Sequence, residues 1–557
     1  MLRIRRHLQR QPPRNLRRHG GRQDRRARIA RHRCGGLRRH QLSDAARRPA
    51  RRPGLERPGR PPGRDPRIAR PCVGIRIVSE PAASIHHLHA DHFAELVPRA
   101  LANVELRGAL ANATDTIRNR RATALAGVDD LQALRGRAKA IKSEALEHLD
   151  EHLERFEKTA EANGIKVHWA SDAEAARAVV LDIAARTGAR IAVKAKSMVS
   201  EEIGLNDALI DAGVVPVETD LGEWIVQLAE ETPSHILVPA IHKRRREIRD
   251  LFARVLGRPM PDDAAGLTAI ARNELRSHFA TADLGISGAN FLVAETGSFL
   301  LIENEGNIRL TTSLPKVHVA IAGIEKIVPR LEDLGPLVRI IARNGTGQPI
   351  SCYQTLVSGP KTSPDDDGPE EIHVVLLDNG RSRLLADELT AETLRCIRCS
   401  ACLNVCPVYR QIGGHAYGSV YPGPIGAILT PQIAGLHAAS QLPDASSLCG
   451  ACREVCPVDI DIPGVLLHLR HQAAASDEDD AAGVDPVTET KNRAARRGFG
   501  LWRWAMASPA RYAMLGRIGR ISVRVIRRVP RLSRFIGPLR GWCAGRELPL
   551  RPGPEFP

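Results

Sequence analysis

The sequence predicts a parallel α/β domain followed by a small, cysteine-rich α-helical domain. Short apolar strands alternate with Ala-rich amphipathic helices between residues 164 and 220. Seven of the eleven cysteines lie between Cys396 and Cys456, and aromatic residues make up only 3% of the chain. Strand–helix alternation of this length is typical of a parallel sheet covered by helices. We therefore expect cores built mainly from Ala, Val, Leu and Ile.

Residues 1–80 are an Arg- and Pro-rich segment with almost no hydrophobic periodicity, which predicts disorder. The first 70 residues contain 24 arginines, no lysine and four acidic residues. Three interpretations are open: a nucleic-acid-binding arm, an organelle presequence, and a translation start assigned too far upstream in GC-rich DNA. Arginine without any lysine favours codon bias, and hence the third interpretation.

The remaining chain divides by composition into a helical lead-in, an α/β domain, a cysteine-rich domain, an acidic linker and a basic amphipathic tail. Among the strands we expect GIKVHWA, ARIAVKA, VVPVETD, SHILVPA and a pair of strands around Thr296-Gly297. The lead-in ends at the helix-stop signal Asn163-Gly164. The five segments are, in order, residues 85–163, 164–380, 385–470, 476–490 and 491–557.

The net charge of +18 belongs to the two ends of the chain, because residues 71–490 contain 41 basic and 57 acidic side chains. An acidic body disfavours a nucleic-acid-binding domain there. No secretory signal is visible, and no run of about 18 apolar residues predicts a transmembrane helix. Cysteines clustered in a large chain indicate a metal or redox site in a reducing compartment, which predicts a cytoplasmic protein.

The strongest chemical signal is Cys396-Ile-Arg-Cys399-Ser-Ala-Cys402-Leu-Asn-Val-Cys406-Pro407. This is the C-x2-C-x2-C-x3-C-P pattern of two-cluster ferredoxins, in which the fourth cysteine ligates the other cluster. A second motif, Cys449-Gly-Ala-Cys452-Arg-Glu-Val-Cys456-Pro457, follows without its first cysteine. Zinc also uses paired C-x2-C motifs, but four cysteines this close are too dense for one tetrahedral ion. The two motifs therefore predict iron–sulfur clusters.

Crossed ligation predicts that Cys396, Cys399, Cys402 and Cys456 hold cluster 1. Cluster 2 takes Cys406, Cys449 and Cys452, and its fourth ligand stays open. The candidates are Ser446, Cys352, His415, water and substrate; a three-iron cluster is a further alternative. Cys34, Cys72 and Cys543 lie outside the motifs and are predicted to be ordinary thiols.

Polar groups at the ends of the predicted strands are candidate ligand-binding residues, because ligands bind at the carboxyl edge of a parallel sheet. Each is a weak signal alone, and a capped helix explains the first group equally well. No Rossmann, P-loop or nucleophile-elbow motif accompanies them, and no NAD or flavin motif is visible. The groups are Lys194 to Glu202, Glu218 to Asp220, His242-Lys243, Glu295 to Gly297, Glu303 to Glu305 and Lys316 to His318.

The loop between the cysteine motifs, Gly413-Gly-His-Ala-Tyr-Gly418 with Tyr421-Pro-Gly-Pro424, has two interpretations. One is a docking or electron-exit surface. The other, which we favour, is a loop that bends closely around a cluster and needs glycine for the approach of its backbone.

Several long motifs together resemble the lactate-utilisation iron–sulfur protein family, the B component of the Lut system. The resemblance covers residues 90–470 and includes AKSMVSEEIGLN, ADLGISGANFLVAETGSFLLIENEGNIRL, CIRCSACLNVCPVY and SSLCGACREVCPVDI. It implies a LUD-type domain of the NagB/RpiA/CoA-transferase-like fold and a ferredoxin module with two [4Fe–4S] clusters on the same seven cysteines. It also implies two partner proteins and the oxidation of L-lactate to pyruvate. The Arg-rich head departs from the family pattern.

These observations predict an electron-transfer subunit of a multi-component lactate-oxidising system. The first alternative is a self-sufficient 2-hydroxy-acid oxidoreductase that binds its substrate in the α/β domain. The second is an iron-dependent, nucleic-acid-binding regulator that uses the basic ends, which the acidic body disfavours. The basic tail is predicted either to rest on an anionic membrane surface or to clamp a partner subunit.

Overall fold

The strand–helix alternation forms a six-stranded, fully parallel sheet, as predicted. A computed structural model describes residues 85–475 and 484–528, with side chains to residue 522. The strand order is β1-β10-β7-β4-β2-β3, so the last strand of the domain lies between the first and the seventh. The strands are β1 Lys166–Ala170, β2 Ile191–Lys194, β3 Val215–Glu218, β4 Leu284–Gly288, β7 Val317–Gly323 and β10 Glu371–Leu377.

A second, four-stranded sheet packs beside the first in the order β8-β5-β6-β9. Its central hairpin turns at Thr296-Gly297, where the sequence predicts it, and Gly297 has φ 66°. A Cβ atom there would lie 2.3 Å from the backbone nitrogen of Ala160, so only glycine fits this turn. The strands are β5 Phe291–Val293, β6 Ser298–Glu303, β8 Ile327–Val328 and β9 Tyr353–Val357.

Residues 93–162 form four helices, in agreement with the predicted helical lead-in. Helix α4 shows why: Leu149, Leu153, Phe156 and Ala160 recur at helical spacing and are all buried. Asp130 caps α3 by accepting a hydrogen bond from the backbone nitrogen of Ala133. The helices are α1 Phe93–Ala102, α2 Val104–Ala126, α3 Leu131–Glu147 and α4 Leu149–Ala162.

Further helices connect and cover the strands of the α/β region. Alanine, valine and isoleucine on α5 pack against the large sheet, and Gly188 in the left-handed conformation ends that helix. The helices are α5 Ala173–Thr187, α6 Met198–Glu202, α7 Leu205–Asp211, α8 Leu221–Leu228, α9 Arg245–Leu256, α10 Ala264–Thr281, α11 Asn307–Ser313, α12 Leu334–Gly345, α13 Arg381–Leu384 and α14 Glu388–Ala391.

The expected strand SHILVPA does not form, and residues 234–240 are a buried loop. The imidazole Nδ1 of His235 accepts hydrogen bonds from the backbone nitrogens of Leu237 and Val238, both at 3.0 Å. The Ser234 nitrogen donates to the Pro239 carbonyl and closes the loop. Because a side chain and the loop itself satisfy these backbone groups, the apolar run needs no neighbouring strand.

The cysteine-rich region is helical and shares a hydrophobic core with the α/β region. Ile397, Leu403 and Ile428 lie in the same buried cluster as Leu337 and Ile341 of α12. The two regions separated by composition are therefore packed as one body. Its helices are α15 Ala401–Val405, α16 Tyr409–Ile412, α17 Gly423–Ala434, α18 Leu436–Ala439, α19 Ala451–Val455 and α20 Ile462–Ala475.

Two long helices, α21 Pro486–Met506 and α22 Pro509–Arg528, form the start of the basic tail. Within the described part of the chain, no helix is both long and apolar enough to cross a membrane. The predicted disorder of residues 1–80, most of the acidic linker and the end of the tail lie outside the described residues. The same holds for Cys34, Cys72 and Cys543.

Candidate metal centre and adjoining cavity

The first cysteine motif wraps around a small cavity. Arg398 and Ser400 have φ of 60° and 62°, and these two left-handed residues curl the chain so that Cys396, Cys399 and Cys402 face inward. Cys456 of the second motif lines the same cavity. With its open mouth included, the space is about 360 Å³. Its other walls are largely apolar and include Ile425, Val458, Ile460 and Ile462.

Backbone N–H groups point at several of the sulfur atoms. The nitrogen of Arg398 lies 3.4 Å from Cys396 Sγ, and the nitrogen of Ile460 lies 3.4 Å from Cys456 Sγ. The nitrogen of Tyr409 lies 3.5 Å from Cys406 Sγ. Such bonds stabilise negative charge on sulfur and are one means by which proteins adjust iron–sulfur sites. The donor set therefore suits cysteine thiolates bound to a metal.

Burial would keep these cysteines protonated without a metal. It raises the pKa of Cys399 and of Cys452 to about 12 and that of Cys456 to about 11, and it also raises the pKa of Cys402 and Cys406. A metal ion reverses this preference because its charge stabilises the thiolates. Buried thiols converging on one cavity fit a metal centre better than free thiols.

Cys406, Cys449 and Cys452 form a second group. They lie close enough to interact electrostatically, because negative charge on Cys406 and on Cys449 raises the pKa of Cys452. Cys449 is exposed, and hydrogen bonds from the Ala451 backbone and the Ser447 side chain lower its pKa. The second group therefore lies nearer the surface than the first.

The three residues considered as a fourth ligand of this group differ in their surroundings. The Nε2–H group of His415 donates to the Thr232 carbonyl at 2.7 Å, and its ring lies 4.6 Å from that of His242. Ser446 Oγ accepts a hydrogen bond from the Leu448 nitrogen in the loop before Cys449. Cys352 is exposed next to β9.

The lead-in helices hold the second motif in place. Arg135 of α3 donates to the Cys456 carbonyl at 2.7 Å, and Lys139 pairs with Asp459 at 2.7 Å. Helices α15 and α19, one from each cysteine motif, pack against each other. The crossed arrangement of Cys456 with the first motif thus has a structural basis in the packing of α3, α15 and α19.

The glycines of the loop between the motifs do allow close approach, but to protein backbone rather than to the cysteines. A Cβ atom on Gly414 would lie 2.0 Å from the Ser234 carbonyl, and one on Gly418 would lie 2.3 Å from the His89 carbonyl. The approach of these two glycines is to protein backbone, while the side chain of Tyr417 in the same loop interacts with that of Cys406, so the loop also lies beside a predicted cluster ligand. The loop joins the module to the α/β region and to the N-terminal helices.

A larger cavity adjoins the metal centre at the carboxyl edge of the parallel sheet. It measures about 1200 Å³ with its open mouth included, and Ile397 and Arg398 line both this cavity and the cysteine cavity. Several of the predicted strand-end groups meet in it: Lys196, Ser197, Asp220, Glu303 and Glu305. Burial, together with the charge of Asp220, raises the pKa of Glu305 to about 7.

Other predicted strand-end groups lie elsewhere. Lys194 is fully buried and pairs with Glu218 at 2.8 Å and Glu201 at 2.9 Å, which is a structural role. His242 and Lys243 both bind Glu231. The Glu295 carboxylate accepts a hydrogen bond from the backbone nitrogen of Leu331. Lys316 is an exposed residue before β7.

Sequence reasoning missed Lys326 and Arg398 in the larger cavity. Lys326 stands in the apolar run Ile324-Glu-Lys-Ile-Val328, and Arg398 stands between two cysteine ligands of the motif. A lysine inside an otherwise buried run was the available signal, because an unpaired charge is costly to bury.

Two protein families match consecutive parts of this chain. The LUD domain family matches residues 153–377, and the 4Fe-4S dicluster domain family matches residues 392–460. "Lactate utilization protein B" of Shouchella clausii is 40% identical over 458 residues, covering 82% of this chain and 94% of that protein. "Lactate utilization protein B" of Oceanobacillus iheyensis is 39% identical, with 83% and 94% covered. A DUF162 family crystal structure from Deinococcus radiodurans aligns with 41% of this chain and 98% of its own, at 14% identity and a TM-score of 0.24.

Proposed function

Because this chain belongs to the lactate utilization protein B family, we propose that it is the electron-transfer subunit of a multi-component system that oxidises L-lactate to pyruvate. The observation that carries the proposal is the convergence of four cysteines from two distant motifs on one cavity. Iron–sulfur clusters bound by such cysteines accept and donate single electrons. The oxidation itself, and the partner subunits, are part of the proposal.

We assign Cys396, Cys399, Cys402 and Cys456 to cluster 1, and Cys406, Cys449 and Cys452 to cluster 2, both of the [4Fe–4S] type. The shared cavity and the packing of α15 against α19 support the crossed assignment. The fourth ligand of cluster 2 stays open between Ser446, Cys352, His415, water and substrate.

The two groups of cysteines suit different places in an electron path. The first group lies beside Ile425 and Ile462 in a largely apolar pocket. The second includes the exposed Cys449. Electrons cross to a partner protein most easily where a cluster lies close to the surface, so we assign the partner contact to the side of Cys449.

The alternative function, a self-sufficient 2-hydroxy-acid oxidoreductase, is favoured by one observation. The larger cavity and the cysteine cavity share the wall formed by Ile397 and Arg398. A substrate in the larger cavity would therefore lie next to cluster 1. In this alternative the isolated chain would oxidise L-lactate with an artificial electron acceptor, without partner proteins.

We also infer that the tail contacts an anionic membrane surface. Helix α22 contains five arginines before residue 528 and no acidic residue, and α21 exposes Phe499, Trp502 and Trp504. Basic amphipathic helices with exposed aromatic side chains bind membrane surfaces. The protein is expected to sediment with phosphatidylglycerol vesicles but not with phosphatidylcholine vesicles. Binding to neither kind of vesicle, or equal binding to both, would contradict this contact.

The proposed function is tested on anaerobically purified protein. Iron and acid-labile sulfide are measured, and electron paramagnetic resonance spectra are recorded before and after addition of L-lactate, with and without the partner proteins. About eight iron and eight sulfide per chain, with clusters reduced only when partners are present, would support the relay subunit. Reduction by lactate alone would support the alternative function. Bound zinc without sulfide would refute both.

A further inference from the structure

The larger cavity contains a buried lysine without a partner. Lys326 is only 8% exposed and lines the cavity. Among the described residues, its Nζ has neither a hydrogen bond nor an ion pair. The carboxylate of the neighbouring Glu325 is already bound by Arg381 at 2.7 Å and by Arg398 at 3.4 Å. Because Lys326 is buried and lines this cavity, an acceptor from outside the chain would complete its hydrogen bonds there.

Arg398 provides a second unsatisfied donor on the same wall. Its Nη1 atom is buried without a hydrogen-bond partner, while its guanidinium lies 5.0 Å from the centre of the Tyr421 ring. Its backbone is held between Cys396 and Cys399 in the left-handed conformation. The position of the guanidinium is thus set by packing rather than by a ligand, as a preformed anion site requires.

Basic side chains outnumber carboxylates around this wall. Lys142 lies behind it, where its ammonium donates to the carbonyls of Glu325 and Ile327. Lys142, Lys326, Arg381 and Arg398 stand beside two buried carboxylates, those of Glu202 and Glu325, and Cys396 adds negative charge there when it is a thiolate. Arginine and lysine at one wall are the side chains that proteins use to hold carboxylates.

The far side of the cavity is mainly acidic, with Lys196 as a single basic residue near Asp220. Asp220, Glu303 and Glu305 line it, and each has a pKa raised chiefly by burial. These groups accept hydrogen bonds from a hydroxyl and would repel a second carboxylate. The cavity therefore fits a small ligand with one carboxylate and a neighbouring hydroxyl or carbonyl group better than it fits a dicarboxylate or a phosphate ester.

We propose that this cavity binds a small 2-hydroxy or 2-oxo carboxylate, with its carboxylate on Lys326 and Arg398 beside the Cys396–Cys399 loop. The inference rests on the proposed function, to which it adds a substrate-binding site in this chain. Lys326 and Arg398 are binding residues in this proposal. The proposal covers binding alone and assigns no redox step to the cavity.

The test is isothermal titration of the anaerobic, iron-loaded full chain with L-lactate and with pyruvate, and with L-lactamide as the uncharged analogue. We expect both acids to bind and the amide not to bind. Lys326→Met should weaken acid binding by at least about tenfold, the loss of one charge-assisted hydrogen bond. Lys316→Met, at a lysine whose side chain is 79% exposed, should bind as the unchanged chain does.

Three outcomes would overturn the inference: no binding of either acid, equal binding of the amide, or unchanged binding in Lys326→Met. The iron content and the electron paramagnetic resonance spectrum of each variant are measured in parallel. A spectrum altered by Lys326→Met without a change in binding would show that the lysine only balances the charge of cluster 1. The conservative variant Lys326→Arg, which keeps the charge, should retain binding.

Failure of the inference and failure of the proposed function are distinguishable. Partner-dependent reduction of the clusters by lactate, with no acid bound by this chain alone, would overturn the inference and leave the relay function intact. Acid binding without any lactate-dependent reduction would leave the site and overturn the relay function.

Discussion

Glutamine in place of Glu202 is expected to loosen the joint between the α/β region and the cysteine module. Glu202 is fully buried at the end of α6 and binds Arg381 with both carboxylate oxygens, at 2.9 and 2.8 Å. It also accepts hydrogen bonds from Asn379 at 2.7 Å and from Tyr421 at 2.6 Å. Tyr421 belongs to the loop between the cysteine motifs, so one carboxylate connects the two regions.

The magnitude follows from the environment of the carboxylate. Burial alone would raise the pKa of Glu202, but Arg381 together with the hydrogen bonds from Asn379 and Tyr421 more than offsets this effect, and the pKa lies below its ordinary value. Glutamine keeps the shape, removes the charge and points an N–H donor at groups that are themselves donors. Removing one partner of a buried pair costs about 3–5 kcal/mol, and we expect the lower end of that range because Arg381 keeps its ion pair with Glu325 at 2.7 Å.

The assay compares the unfolding of iron-loaded proteins in urea under anaerobic conditions. Cluster loss makes unfolding irreversible, so the unfolding rate is the quantity to compare. We expect Glu202→Gln to unfold on the order of 10- to 100-fold faster, because part of the lost energy appears in the unfolding rate. Far-ultraviolet circular dichroism and cluster absorbance should change together, because the two regions share one core.

The matched control is Glu174→Gln, at an exposed glutamate in the first turn of α5, which should change the rate little. Tyr421→Phe removes one hydrogen bond and should cost about 1–2 kcal/mol. An unfolding rate of Glu202→Gln within about twofold of the unchanged protein would refute the reasoning, because Arg381 would then lose one of its two buried carboxylate partners and keep only Glu325 without a measurable cost.

Four further substitutions test the cluster ligands, a tight turn and a buried histidine. Cys402→Ser should lose about four of the roughly eight iron atoms per chain. Cys352→Ser should lose none if another group is the fourth ligand of cluster 2. The iron content of each purified variant distinguishes these outcomes. Gly297→Ala should cost about 1–3 kcal/mol, from its φ of 66° and the clash with Ala160, and should lower the melting temperature. His318 is buried and its pKa is lowered to about 3, so it is neutral in the folded protein. The free energy of unfolding should therefore fall by about 1.4 kcal/mol for each pH unit below about 6.5, down to pH 3. The melting temperature measured against pH should fall less steeply in His318→Gln than in the unchanged protein.

Local pattern was enough to predict most of the elements of the α/β region. Alternating apolar residues predicted β1, β2 and β3 close to their observed bounds, and the helix-stop signal Asn163-Gly164 predicted the end of α4. The order of the strands was not predictable in this way. Strand β10 pairs with β1 across some two hundred residues of chain, and a pairing of that span leaves no signal in either strand alone.

The one wrong strand shows where hydrophobicity misleads. Residues 234–240 are apolar enough for a strand, but His235 satisfies the backbone donors that a strand would offer to a neighbour. Its own Nε2 lies 3.2 Å from Asn404 in the cysteine module. The side chain that decides the local conformation is thus held by a residue 169 positions away, which no local window contains.

The candidate site likewise has one part that local sequence predicts and one part that it does not. Cysteine spacing predicts the motif chemistry because cluster ligation constrains a few consecutive residues. The larger cavity is lined by residues at the ends of β2, β3 and β6, by Lys326 just before β8 and by the Cys396–Cys399 loop. No single segment of the sequence therefore predicts it. Sequence reasoning found its acidic side, where Glu303 and Glu305 stand together, and missed its basic wall.

The shared wall has a thermodynamic consequence for the two cavities. Arg398 is held in the left-handed conformation by a loop whose two ends, Cys396 and Cys399, are candidate cluster ligands. Binding of a cluster therefore restricts the same backbone that positions the proposed carboxylate donor. If each ligand favours the same loop conformation, the coupling between them is reciprocal. Carboxylate affinity should then fall when iron is removed by a chelator, and bound carboxylate should raise the equilibrium affinity for iron by the same factor.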